Sequence, residues 1–425
     1  MKRILFTSIF MLLAITIGYA NDGTEISSKA KNDTASYVEV SGKIIDSKSD
    51  EPVVFASVVV TETSIATVSN ADGEFTLKVP KTKESSTLLF THIGYENKTI
   101  AVADLKGKSN VIPIKAIALP IDEVVIRSVD PHSLILEALS RVKHNYNLNP
   151  EMQTGFYRET IKQNRNYVSV SEAVMDIYKA GYKLGFDSDR IRIYKGRKSR
   201  DVKKMDTVIV KLQGGPRTTL MLDVVKNPGD ILHPEMLEYY EFKLMGITSI
   251  DNREAYVIYF DQLMGVEYPL YNGNVYIDVE TKAFTGMDFE LSERGLPYAS
   301  EILVKKKPSS LKVDIQSGHY LIRYRNEGGK WYLNYVRSEL ALSSKWKRKL
   351  FKSNFNIMLE MAVTDRDQEN VEKFAYKEAS KLNDVFIEQV TSFEDGDFWG
   401  DYNTIKPDES IEVAIEKLTK KLKRQ

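Results

Sequence analysis

The chain has 425 residues, with 59 basic and 59 acidic side chains and no cysteine. A formal net charge of zero gives no electrostatic case for nucleic acid or for any other strongly charged partner. Without cysteine there are no disulfides and no thiol chemistry, so stability rests on hydrophobic cores, and the chain is long enough for more than one.

The first residues read as an export signal. Lys2 and Arg3 precede an apolar stretch, Ile4 to Ile17, and Gly18-Tyr19-Ala20 offers a small-residue cleavage site. The alternative is an N-terminal anchor helix, but nothing charged stops transfer after Ala20. The expectation is residues 1–20 as signal, 21–36 as a polar flexible leader, and a mature protein in the periplasm or associated with the outer membrane. No later window is apolar for long enough to span a membrane as a helix.

Residues 37–128 read as a first domain of short strands. Val40 to Asp46, Val53 to Val60 and Phe75 to Val79 are β-rich runs cut by Asp50-Glu51-Pro52 and Asn70-Ala71-Asp72-Gly73. Ser86–His92, Asn97–Val102, Asn110–Ala118 and Ile121–Arg127 continue the pattern. Asp130 to Tyr146 then reads as a helix, capped by Asp130 with Pro131 in its first turn and an apolar stripe of Leu134, Ile135, Ala138, Leu139 and Val142.

From Thr154 onward the chain is mostly strand. Phe156–Ile161, Val168–Tyr178, Arg190–Tyr194 and Val208–Leu212 come first. A short helix at Pro216–Val225 follows, and then Tyr239–Ile250, Ala255–Phe260, Gly273–Asp278, Phe284–Leu291, Lys312–Ser317, His319–Arg325, Trp331–Leu342 and Phe355–Thr364. Tight turns at Asp251-Asn252-Arg253 and Asn326-Glu327-Gly328-Gly329 predict an antiparallel meander. Ser410–Lys423 closes the chain as an amphipathic helix. The fold class is therefore mainly β: a small N-terminal sandwich, then, over residues 129–425, a larger curved antiparallel sheet or half-barrel with helices at about 130–146 and 410–423.

Two segments resemble known families. Ser41-Gly42-Lys43-Ile44-Ile45-Asp46, Pro52 to Val58, Asn70 to Phe75, Phe90-Thr-His-Ile-Gly-Tyr95 and Asp122 to Ile126 resemble the carboxypeptidase regulatory-like domain, a transthyretin-like β-sandwich that is not itself catalytic. Tyr240 to Leu244, Ile250 to Phe260 and Gly273 to Lys282 look like the lipoprotein-carrier (LolA-like) half-barrel, in which a curved sheet wraps a helix. That second resemblance implies binding of an acyl chain or lipidated ligand through the shape of the sheet, with no single residue to carry it.

Catalytic patterns are weak. None of the five histidines heads a His-x-x-Glu pair or sits in His-Glu-x-x-His, so no zinc peptidase is indicated. Ser169, Ser171 and Ser292 lack a nearby His and a nucleophile elbow. Asp261, Glu267 and Asp278 lie near strand ends, where turn acids are common and a working carboxylate pair is rare. Gly107-Lys108-Ser109 lacks the upstream glycine of a phosphate loop, and Asp365 to Glu369 lacks the glycine of a calcium loop. No cofactor or metal is expected.

The sharpest local feature is Lys345, Trp346, Lys347, Arg348 and Lys349, followed by Leu350, Phe351 and Lys352. Cations interleaved with aromatic and aliphatic groups suit an anionic lipid surface, and they also suit a solvated hairpin loop. The apolar strand faces likewise admit two readings, a ligand concavity or a core filled by the helices at Asp130 and Ser410. The functional expectation is a non-enzymatic envelope protein that binds an apolar or lipidated ligand. The alternatives are an envelope adaptor for protein partners and, third, a hydrolase using Asp261 and Glu267.

Overall fold

The computed structural model describes residues 15–17, 37–105, 110–117, 129–183, 188–200, 210–212, 214–348, 350–392 and 398–422. The expected signal (apart from residues 15–17), the leader, Gly107-Lys108-Ser109 and the Ile121–Arg127 strand lie outside these residues. No helix among the described residues is long and apolar enough to cross a membrane.

Ile15–Ile17 forms β1. The sandwich follows as β2 (Tyr37–Asp46), β3 (Ser57–Val60), β4 (Ala66–Val68), β5 (Glu74–Pro80), β6 (Thr87–Thr91), β7 (Lys98–Ala101) and β8 (Asn110–Ile114). One sheet runs β5-β2-β8 and the other β4-β3-β6-β7. Alternation explains the packing: in β5 every second residue, Phe75, Leu77 and Val79, is buried, and these meet Val40, Ile44, Val58, Leu88 and Phe90 between the sheets. Gly73 is required at its turn, because its φ is +76° and a Cβ there would lie 2.7 Å from the Ile44 carbonyl oxygen.

The large sheet contains β9 (Glu151–Gln163), β10 (Asn166–Lys179), β11 (Arg190–Arg200), β13 (Tyr240–Ile250), β14 (Arg253–Gln262), β15 (Tyr271–Asp278), β16 (Phe284–Leu291), β18 (Leu311–Glu327), β19 (Lys330–Trp346) and β20 (Ser353–Asp367). Short β12 (Val210–Leu212) and β17 (Val304–Lys306) flank β1 in a separate small sheet, and β21 (Thr391–Ser392) pairs parallel to β11. The order is β13-β14-β15-β16-β18-β19-β20-β9-β10-β11-β21, and all the long pairings are antiparallel. The sheet is curved and does not close. Its hairpins follow local chemistry: Asp251 and Asn252 both take positive φ, as do Gly328 and Gly329.

Three expectations change. The meander is rearranged, since β9 pairs with β20, so the earliest strands of the sheet lie beside its last long one. Lys312–Ser317 and His319–Arg325 are one strand carrying a bulge between Ile315 and Ser317. The Asp130 helix spans Pro131–Ser140, with the Asp130 carboxylate accepting from the Ser133 amide at 2.9 Å, and it breaks at Arg141 before a further turn, Val142–Asn145.

The sheet has two covered faces. The inner face packs against the helices Pro131–Ser140, Gly215–Met221 and Leu296–Leu303 in one continuous apolar core. The outer face carries the sandwich and the C-terminal segment: Phe55 stacks on Tyr335 at 5.5 Å, and Val68, Phe156, Val174, Ala362 and Ile405 join them. The terminal helix, Glu409–Leu422, packs through Ile411, Ala414 and Leu418 on Val170 and Met358. It therefore lies on the outer face and does not fill the inner one, as a helix at Ser410 was expected to do.

Candidate ligand-binding face

The inner face is apolar except at its middle and at one end. Tyr157, Ile161, Met175, Ile177, Val336, Leu340, Leu342, Ile357 and Leu359 supply its buried apolar surface. Glu159 lies between Tyr157 and Ile161 on the same side of β9, because side chains two apart share a face. Pairing then fixes its neighbours: Glu159 is opposite Ser171 and Leu359, Ile161 is opposite Ser169, and Leu359 is opposite Ser338. One carboxyl and three hydroxyls are thus inlaid together in a hydrophobic surface.

These groups are buried, and the Oγ atoms of Ser169, Ser171 and Ser338 have no hydrogen-bond partner. The Tyr157 hydroxyl donates to Glu159 Oε2 at 3.0 Å. Burial lifts the Glu159 pKa from an ordinary 4.5 to about 8, opposed only in part by that hydrogen bond. Burial also pushes the Tyr157 phenol well up. At neutral pH this patch is uncharged and rich in unmet hydrogen-bonding capacity. An ordinary core seldom leaves three such hydroxyls together.

Two other buried polar groups are satisfied and act as fasteners. On the outer face Arg158 donates to Glu172 at 2.8 Å, to Glu360 at 2.7 Å and to the Ile405 carbonyl at 2.7 Å, and so ties the C-terminal segment to the sheet. At the far end of the inner face Asp223 accepts from Lys179 at 2.6 Å, Tyr182 at 2.7 Å and Tyr324 at 2.8 Å. Burial alone would raise the Asp223 pKa, but the Lys179 cation and these hydrogen bonds hold it below the ordinary carboxylate range. That clip secures the end of the Gly215–Met221 helical segment against the sheet.

Two of the three sequence-predicted acids are engaged in pairs. Asp278 takes Arg253 at 2.6 and 3.0 Å and the Thr281 amide at 2.7 Å. Asp261 accepts from Ser292 at 2.8 Å and lies 3.6 Å from Arg294, and Glu267 is exposed. Among the described residues no group of three or more His, Asp or Glu is placed to hold a metal ion.

The basic run divides. Lys345 and Trp346 end β19, where Trp346 pairs with Leu311 and packs on the main core, so they are strand and not loop as expected. Lys347 and Arg348 are exposed in the turn, and Lys349 lies outside the described residues. Leu350 and Phe351 are 88% and 87% exposed. The antiparallel order puts this turn at the same end of the sheet as the β14–β15 loop, where Met264 is 84% exposed. Met264 lies between strands and carries no motif in the sequence, and Ser169 and Ser171 show there only the absence of a nucleophile's partners.

A curved, open antiparallel sheet wound on helices, with a β-sandwich on its back, thus defines the class of protein. Residues 40–126 match the CarboxypepD_reg-like domain family, which confirms the resemblance drawn from those strands. No curated protein matches the chain. Solved structures similar over about half of it include two of note. A DUF1329 family protein from Desulfovibrio piger shares 10% identity, with 58% of this chain and 97% of that chain covered and a TM-score of 0.24. Lipovitellin, in a structure described by its lipid–protein interactions, shares 7% identity, with 56% and 27% covered and a TM-score of 0.25. At such TM-scores neither carries a structural argument.

Proposed function

We propose that this is a non-enzymatic, exported cell-envelope protein that holds an apolar or lipidated ligand on the inner face of its large sheet. The observation that carries the reading is the inlay of Glu159, Ser169, Ser171 and Ser338 within an otherwise apolar surface. A guest with an apolar body and a neutral polar group, such as an ester or amide, would supply the missing partners. Under this reading residues 37–128 form an accessory domain and residues 129–425 the binding domain.

The sheet end with Met264, Leu350 and Phe351 would face an anionic membrane, with Lys345, Lys347, Arg348 and Lys352 at head-group level. Native mass spectrometry of the protein, expressed with its export signal and purified gently, tests the reading. The expected result is a bound mass that organic solvent releases and that Ser171→Val diminishes. A bare chain with no lipid in the extract overturns it. A reproducible protein partner in place of a lipid would favour the adaptor alternative.

A further inference from the structure

The junction of the sandwich with the outer face contains a cleft of about 370 Å³, walled by Val54, Phe55 and His92 on one side and by Leu321, Arg323 and Arg337 on the other. The two guanidinium groups differ. Arg337 is fully engaged: it donates to Glu339 at 2.7 Å and to Glu360 at 3.1 Å, and it stacks over Phe55 with 4.8 Å to the ring centre. Arg323 is not. Its Nη1 donates to the carbonyls of Met287 and Ile322 at 3.1 Å each, its Nη2 makes only a long ion pair with Asp288 at 4.0 Å, and the guanidinium lies 5.7 Å from the centre of the Tyr276 ring. The Arg323 side chain is only 16% exposed.

The surrounding charges compensate it only in part. Asp288 and Glu339 are about half exposed at the mouth, and His319 is paired with Glu290 at 3.0 Å. His92 is turned to the Ile93 carbonyl at 2.9 Å. Burial, with Arg323 nearby, lowers the His92 pKa to about 4, so it adds no charge at neutral pH. A largely buried cation whose only nearby carboxylate is a half-exposed partner at 4.0 Å is incompletely compensated, and a closer anion would stabilise it.

We infer that this cleft binds a small organic anion, its acid head on Arg323 and its apolar body against Val54, Phe55 and Leu321. The free edge of a guanidinium matches a carboxylate or phosphate in shape and charge. The walls select for an apolar body, and the volume lies at the lower end of small-molecule sites, which run from about 300 Å³ upward. The cleft and the inlay lie on opposite faces of the sheet, so this inference does not rest on the inner-face reading.

Calorimetric titration of the full chain at pH 7 with 4-phenylbutyrate, 4-phenylbutanol and inorganic phosphate tests it. The acid binds, the alcohol binds at least about tenfold more weakly, as expected for losing hydrogen bonds to a charged group, and phosphate alone binds more weakly than the acid. Arg323→Met weakens the acid by about tenfold or more, and Arg323→Lys restores part of the loss. Should Arg323→Met fold poorly, Leu321→Glu, which adds a repelling carboxylate to the same wall, gives the same loss. Ser171→Val leaves the acid's affinity unchanged, which separates this site from the inner face. Equal binding of acid and alcohol, or wild-type affinity in Arg323→Met, overturns the inference. Phosphate binding as tightly as the acid overturns the part played by the apolar walls.

Discussion

Glu159→Gln tests the electrostatics of the inner face quantitatively. The Glu159 pKa is about 8 in the folded chain against an ordinary 4.5. The folded state therefore holds a proton that the unfolded state releases. Stability contributed by this site is intact below about pH 4.5, falls as pH rises, and is fully lost once pH passes about 8. Each unit is worth about 1.4 kcal/mol, so the gap of about 3.5 units sets an upper bound of about 5 kcal/mol above pH 8 and about 3 kcal/mol at pH 7. Glutamine copies the shape of the protonated acid, and its oxygen can still accept from Tyr157. Urea unfolding of both proteins, followed by tryptophan fluorescence at several pH values from 5 to 9, yields a difference curve in which other titrating groups cancel. The variant should match wild type at pH 5 and be the more stable by several kcal/mol at pH 8 to 9. Parallel curves would refute the claim that this carboxyl is held protonated in an apolar setting.

Arg158→Leu leaves Glu172 and Glu360 buried without their shared cation and costs about 3 kcal/mol, the lower end for a broken buried pair, because Arg197 and Arg337 remain. It also frees the Ile405 carbonyl, so limited proteolysis should cut the C-terminal segment earlier than in wild type. Asp223→Asn removes the charge shared by Lys179, Tyr182 and Tyr324 and lowers the melting temperature, with a cost of about 2–3 kcal/mol by urea unfolding. The double variant Leu350→Glu, Phe351→Glu changes stability by less than about 0.5 kcal/mol, because both side chains are in solvent, yet it abolishes co-sedimentation with anionic phospholipid vesicles.

Local chemistry was well written in the sequence. Asp251-Asn252, Gly328-Gly329 and Asp130-Pro131 announced their turns and cap because each needs a particular residue at a particular backbone angle. Strand ends were read short where bulges offset the alternation, as at Ser317 in β18. The pairing of β9 with β20 joins residues about two hundred positions apart, and no local pattern encodes it. The inlay was hidden for a related reason. Ser169 and Ser171 alternate with valines, which reads as a strand with one wet face. Both faces of that strand are in fact covered, one by the Glu409–Leu422 helix and the other by the main core. The dry burial of the serines depends on elements far along the chain.

The central claim is that the inner face holds the guest, and photo-cross-linking locates it most directly. The mature protein is loaded with a palmitic acid analogue bearing a diazirine near the end of its acyl chain, irradiated, digested and mapped by mass spectrometry. The account predicts labels on inner-face positions of β9, β19 and β20, around Ile161, Leu340, Leu342 and Ile357, with loss of labelling when unlabelled palmitate competes. Labels confined to the Lys347–Lys352 turn or to the sandwich cleft, or spread over the surface without competition, would contradict it.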